Sequence, residues 1–284
     1  MDTKLQTFLV LCKTMNYRMA AEQLHLTQPA VTKQIQSLEK LYGTKLFQYD
    51  GSKLHKTEKC HILEEYALSL QYNYEELMLR MHEKKKPLLR IGATKTIGDY
   101  ILGRDVTNYL SVSDQRLSLV VDNTERLLSM LDTNQLDFAA VEGLFNKKKY
   151  DYKLLREEPF LGVCLKKHKF SGRCITLEEL FKESIIIREA GSGTRNIFER
   201  QLMNIGYDLK SFNKITFISS FKLIRELVLN NLGISFVYKA VIENDDRFGT
   251  FKVDNITGTH EFNIVYLKNT NAGKLVDIFF GANR

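Results

Sequence analysis

The run Gly191-Ser192-Gly193-Thr194-Arg195 holds several groups suited to one chemistry, the binding of an anion. It follows an apolar stretch at 185–187 and opens a helical pattern. Successive backbone N–H groups at a helix start can cradle an anion, and glycine permits the positive φ that such a nest needs. Ser192 and Thr194 add hydroxyl donors, and Arg195 adds charge. The spacing is not that of a nucleotide P-loop. A plain strand-to-helix turn capped by Thr194 explains the same residues, and the segment alone leaves both readings open. A second set, Gln28, Thr32, Lys33 and Gln36, falls on one face of a short helical pattern. These side chains suit base edges and phosphates in a DNA major groove, although a solvated helix face would look the same.

Other chemistries find little support. Cys12, Cys60, Cys164 and Cys174 are scattered, as are the six histidines, with no metal-ligand spacing. They read as reduced structural thiols. No dinucleotide fingerprint follows a strand, and no carboxylate pair is placed by spacing. No cofactor, metal or catalytic residue is therefore expected. No run approaches the ~18 apolar residues of a membrane span. The first fifteen residues do not resemble a signal peptide, so a cytoplasmic protein without membrane contact is expected. Net charge is +7, and residues 1–59 carry nine basic against five acidic groups, the highest basic excess per residue. That suits phosphate contact as well as any other acidic partner.

The surrounding elements divide the chain in three. Residues 1–59 predict three short helices and a hairpin turning at Asp50-Gly51. The second helix carries small Ala20 and Ala21 inward. The third is capped by Thr27, has Pro29 in its first turn and ends at Gly43. Residues 60–84 predict one long helix. Leu63, Ala67, Leu70, Tyr74, Leu77 and Met81 are spaced four, three, four, three, four, a heptad seam for a partner helix or for the helix's own domain. Pro87, after three lysines, marks a boundary. From 87 to 284, strands (88–93, 117–121, 138–141, 161–165, 185–187, 215–218, 234–238, 262–267) alternate with helices (99–110, 125–131, 195–205, 221–230, 274–280). This implies an α/β fold with a largely parallel sheet and ligands at the strands' C-terminal ends.

The stretch 20–35, AAEQLHLTQPAVTKQI, followed by Leu38-Glu39 and Leu46-Phe47, closely resembles the signature of LysR-type transcriptional regulators over about sixty residues. The resemblance implies a winged helix-turn-helix at 1–59, a linker and dimerisation helix at 60–86, and a two-lobed effector domain at 87–284. That domain would be periplasmic-binding-protein-like (type 2), with lobe 1 at 87–161 and 257–284 and lobe 2 at 162–256. It further implies Gln28, Pro29, Ala30, Thr32 and Lys33 as contacts to double-stranded DNA, with Gln36 on the same face. The wing departs from the family pattern: Tyr49 and Ser52 stand where arginines are usual, and Cys60 where glycine is. Lys53, His55 and Lys56 are expected to supply the wing's charge, Lys53 foremost.

Regulators of this kind bind an effector between two lobes. The 191–195 loop would face Thr94 and Thr96 across that cleft, with Ser219-Ser220 and Val141-Glu142 as further rim. Hydroxyls at two helix N-termini imply a small anionic effector. Its site would comprise Thr94, Thr96, Ser192, Gly193, Thr194, Arg195 and Ser220. The resemblance also implies a homodimer through the linker helix and a homotetramer through the effector domains. Peroxide-sensing relatives form a disulfide in this domain, but no cysteine stands near 191–195 here, so Cys164 and Cys174 read as structural. Two other readings remain, an enzyme with an accessory DNA-binding domain and a transport-type solute receptor. The latter leaves residues 1–59 unexplained.

Overall fold

The computed structural model describes residues 2–82, 87–143 and 145–281. The expected linker end at 83–86, with its lysine run, and the chain's last three residues lie outside them.

The chain begins with helices α1 (Thr3–Thr14), α2 (Tyr17–Leu24) and α3 (Gln28–Tyr42). Asn16 caps α2 by accepting from the N–H groups of Arg18 and Met19. Thr27 caps α3, Pro29 sits in its first turn, and Gly43 ends it at φ +65°. Phe8, Leu11, Ala20, Ala21, Val31, Ile35 and Leu38 form one buried core. The alanines let α2 approach the other helices closely. Strands β1 (Phe47–Asp50) and β2 (Lys53–Lys56) form a hairpin in which Asp50 faces Lys53 across Gly51-Ser52.

Helix α4 (Glu58–His82) follows, 25 residues long, or about 37 Å at the helical rise. It does not present the expected heptad seam. Ala67 is fully buried with Cys60 in the helical core of the N-terminal region, and Leu63 packs against the same core. Leu68 and Tyr72 are buried toward the C-terminal region. The exposed apolar stripe runs through Ile62, Tyr66, Leu70, Tyr74, Leu77 and Met81. The heptad pattern mixed two faces because one side of α4 is already covered by its own chain.

The C-terminal region contains β3 (Leu88–Thr94), α5 (Lys95–Tyr100), α6 (Gly103–Ser111), β4 (Arg116–Asp122), α7 (Thr124–Asp132), β5 (Phe138–Glu142) and β6 (Tyr150–Leu165). After these come β7 (Cys174–Ile175), α8 (Leu177–Phe181), β8 (Ser184–Ile187), α9 (Gly193–Asn204), β9 (Lys214–Phe217) and α10 (Phe221–Leu229). Strands β10 (Ile234–Tyr238), β11 (Phe248–Val253) and β12 (Gly258–Leu267) precede the last helix, α11 (Ala272–Phe280). The helix expected at 99–110 is two, broken at Ile101-Leu102.

One sheet runs β4-β3-β5-β12-β6-β10-β8-β9, with β11 added on β6 and β7 beyond it. It is mixed rather than largely parallel. The wings pair in parallel, whereas β12 and β6 are antiparallel to each other and to their outer neighbours β5 and β10. β6 joins the halves. Phe160 faces Gly258 of β12 and Tyr238 of β10, so the strand changes partners there. The second half is filled by phenylalanines, with Phe198 stacked on Phe236 at 4.6 Å. Among the described residues, no helix is long and apolar enough to cross a membrane.

Candidate functional site

The seam between the halves is built from strand ends. β3 ends at Thr94, β5 at Glu142, and β8 runs into Arg188-Glu189. The loop to α9 then crosses toward the first half. Gly191 adopts φ +83°, and Gly193 lies so close to the Glu142 carbonyl that a Cβ would stand 2.6 Å from it. Glycine is required at both positions. Thr194 Oγ1 donates to Glu142 Oε1 at 2.7 Å, and Thr124 Oγ1 donates to the Glu142 carbonyl at 3.0 Å. On the other flank Lys95 Nζ donates to the Ser219 carbonyl at 2.8 Å and reaches Glu189 at 3.4 Å.

Several buried polar atoms around this seam have no partner among the described residues: Thr94 Oγ1, Ser192 Oγ and Arg188 Nη1; Thr96 turns its hydroxyl toward the Glu142 carboxyl. Ser192 is the N-cap of α9, yet its hydroxyl makes no capping bond. Arg188 is only 3% exposed; it pairs with Glu189 and stacks over the Phe221 ring at 4.3 Å. Burial pushes the Glu142 carboxyl above its ordinary pKa, against the Thr194 and Thr96 hydroxyls and the Arg188 charge. Glu189 shifts the other way. Burial acts to raise it, but the Arg188 pair and Lys95 outweigh that and lower it.

The structure thus brings Thr94, Thr96, Ser192, Gly193 and Thr194 together. It does not bring Arg195. That side chain pairs with Glu199 at 2.8 Å and stacks over Phe217 at 4.7 Å. Ser220 spends its hydroxyl capping α10, where it accepts from Leu223 N. Helix α5 has six residues, too short for a substantial dipole, so one helix N-terminus serves the cleft rather than two. Arg188 and Lys95 were missed. Their signal was position, since each directly follows a strand end.

On the N-terminal region, Gln28, Pro29, Lys33 and Gln36 are exposed on α3, and Ala30 and Thr32 are half-buried. The Thr32 hydroxyl bonds back to the Gln28 carbonyl. Lys53 is exposed at the hairpin tip. Lys56 is not free wing charge: its ammonium lies 2.7 and 2.8 Å from the two oxygens of Glu64 on α4.

Two family models divide the chain at this same helix. Residues 3–61 match the bacterial regulatory helix-turn-helix protein, lysR family, and residues 82–282 match the LysR substrate binding domain. The chain belongs to the LysR family. This LysR protein is therefore a DNA-binding transcriptional regulator with an effector-binding domain, not an enzyme. It is similar to an HTH-type transcriptional regulator of Methanocaldococcus jannaschii, 28% identical over 282 residues, covering 96% of this chain and 95% of that one. In fold it resembles an H2O2-bound OxyR mutant of Corynebacterium glutamicum (TM-score 0.61, 20% identity, 98% and 89% of the chains). It also resembles the CcmR regulatory domain of Synechocystis in complex with 2-PG (TM-score 0.61, 18% identity, 69% and 97%).

The LysR chain keeps its C-terminal cysteines apart. Cys164 is buried against the Gly249 carbonyl, while exposed Cys174 faces Asp254. Burial raises the Cys164 thiol to about 11, far from a reactive thiolate. Cys12 and Cys60, by contrast, touch at 3.8 Å within the N-terminal core.

Proposed function

We propose that the effector of this regulator is a small anion held at the N-terminus of α9, between the halves of the sheet. The unpartnered, buried Ser192 hydroxyl at that terminus carries the reading. It combines a donor without a partner among the described residues, aligned backbone N–H groups and the Arg188 guanidinium four residues before it, whose Nη1 likewise has none. Thr94 supplies another hydroxyl without a partner among the described residues from the first half, and Thr96 lies beside Glu142. Burial raises the Glu142 pKa, which weakens its repulsion of a nearby anion.

The effector would act by population shift. Thr194–Glu142 and Lys95–Glu189 already bridge the halves, and an anion touching both sides adds contacts that an opened cleft lacks. In this reading residues 1–59 are the reading head, 60–86 the linker and 87–284 the sensor, with its lobes meeting at 160–162 and 255–261. Gln28, Pro29, Ala30, Thr32, Lys33 and Gln36 face the major groove, and Lys53 the backbone. A cytoplasmic homodimer through α4, with pairing of sensors into a tetramer, brings two heads to a two-fold site.

Calorimetric titration of the full chain with small carboxylates, phosphate and sulfate tests the effector class. Ser192→Ala should weaken the bound anion about tenfold, the loss of one charge-assisted hydrogen bond. Equal affinity in wild type and Ser192→Ala, or binding by neutral compounds alone, would rule the reading out.

A further inference from the structure

A separate cavity of about 380 Å³ lies beyond the Gly143–Gly193 contact. One wall is the face of α9 carrying Ile197, Arg200 and Gln201, which starts one turn past the N-terminus that lines the cleft. The floor is the start of β12, with His260 and Asn263.

Two floor groups are buried without partners among the described residues, His260 Nδ1 and Asn263 Oδ1, and Asn263 is only 3% exposed. The Gln201 amide nitrogen stands 3.1 Å from His260 Nε2. An amide N–H can only donate, so the ring accepts at Nε2 and carries its proton on Nδ1. Burial lowers the His260 pKa and so disfavours the charged ring. The floor therefore offers one donor, Nδ1–H, and one acceptor, Asn263 Oδ1. A hydroxyl group satisfies both at once, since it donates and accepts.

The lip is cationic. Arg200 is exposed and makes no ion pair among the described residues. Lys147 is half-satisfied by Glu261 at 4.0 Å, where both are more than half exposed. Ile197 and Phe145 supply an apolar strip between lip and floor.

We propose that this cavity is a second small-molecule site, taking an anion that also bears a hydroxyl group. The anionic end sits at Arg200 and the hydroxyl reaches His260 and Asn263. The site is independent of the cleft reading, because it shares neither Ser192 nor Arg188.

The test is titration of the full chain with glycerate, glycerol 3-phosphate and propionate. Glycerate or glycerol 3-phosphate should bind, and propionate should bind at least tenfold more weakly because it leaves the floor groups unpaired. Arg200→Ala, an exposed change that spares folding, should weaken binding about tenfold, and Arg200→Glu should abolish it. Ser192→Ala should leave it unchanged. No binding of either hydroxylated anion, or equal binding in wild type and both Arg200 variants, overturns the proposal. Loss of binding in Ser192→Ala but not in Arg200→Ala would move the ligand to the cleft and overturn it equally.

Discussion

Thr194 donates its hydroxyl proton to Glu142 Oε1 at 2.7 Å, which joins the helix of one half-sheet to the strand end of the other. Both residues are buried. Thr194→Val keeps the shape and removes the donor. The buried carboxyl then loses its 2.7 Å hydrogen bond, which should cost about 1–3 kcal/mol. Urea unfolding should show a lower midpoint with an unchanged slope. An unchanged midpoint would mean that the bond carries no net stability.

The same carboxyl should make stability depend on pH. Its folded pKa is raised above the ordinary 4.5, first by burial. Between the unfolded and the folded value, the native state therefore holds a proton that the unfolded chain has released. This contribution is full below the unfolded pKa and is lost as pH rises through the raised folded value. Glu142→Gln keeps an acceptor for Thr194 and removes the titration. The variant's stability relative to wild type should rise with pH above 4.5. Parallel urea midpoints across that range would contradict this.

Much of the reading head was legible because its signals are local. Thr27, Pro29 and Gly43 mark the ends of α3 whatever surrounds it. The middle of the sheet was not legible. The first part of β6 carries Asp151, Lys153, Arg156, Glu157 and Glu158, which hide its alternation, so only 161–165 read as strand. Its antiparallel pairing with β12 is nonlocal and leaves no spacing signal. The cleft was half legible. Hydroxyls and glycines in the 191–194 loop have fixed local roles, but the direction of a long side chain depends on its neighbours. Glu199 and Phe217 hold Arg195 away, while Phe221 and Glu189 hold Arg188 in place.

The linker is latched to the sensor by Tyr72, whose phenol donates to Asp137 Oδ1 at 2.9 Å. Arg90 meets the same carboxylate through its backbone N–H and its guanidinium, both at 2.7 Å. Burial and Asp137 push the Tyr72 pKa up, so the phenol stays a donor. Tyr72→Phe leaves Asp137 satisfied by Arg90 and should cost about 1 kcal/mol. Asp137→Ala strands a partly buried guanidinium and should cost about 3 kcal/mol or more. Hydrogen exchange should speed up along the second half of α4 in Tyr72→Phe. Unchanged exchange there would show that the latch does not hold the linker.

The two faces of α4 should respond differently to charge. Leu70 and Leu77 are each more than half exposed, whereas Ala67 is fully buried. Leu70→Glu with Leu77→Glu should shift sedimentation from dimer toward monomer at little cost to folding. Ala67→Glu should unfold the head, because it buries an unpaired charge. A double variant that remains dimeric would place the pairing surface elsewhere.

Lys33 and Lys56 separate positioning charge from structural charge. Lys33 is exposed on α3 beside Gln36, free to meet a phosphate. Lys56 is about four-fifths buried against Glu64, and that pair ties the hairpin to α4. Lys33→Ala should weaken DNA binding and reduce the slope of log affinity against log salt by about one. Lys56→Ala should leave that slope unchanged, because its charge is already neutralised. It should instead lower the stability of the head, since it leaves the Glu64 carboxylate partly buried and unpaired. Equal slopes for wild type and Lys33→Ala would remove Lys33 from the DNA interface. A reduced slope for Lys56→Ala would mean that the pair opens on DNA, with the wing charge released to the phosphates.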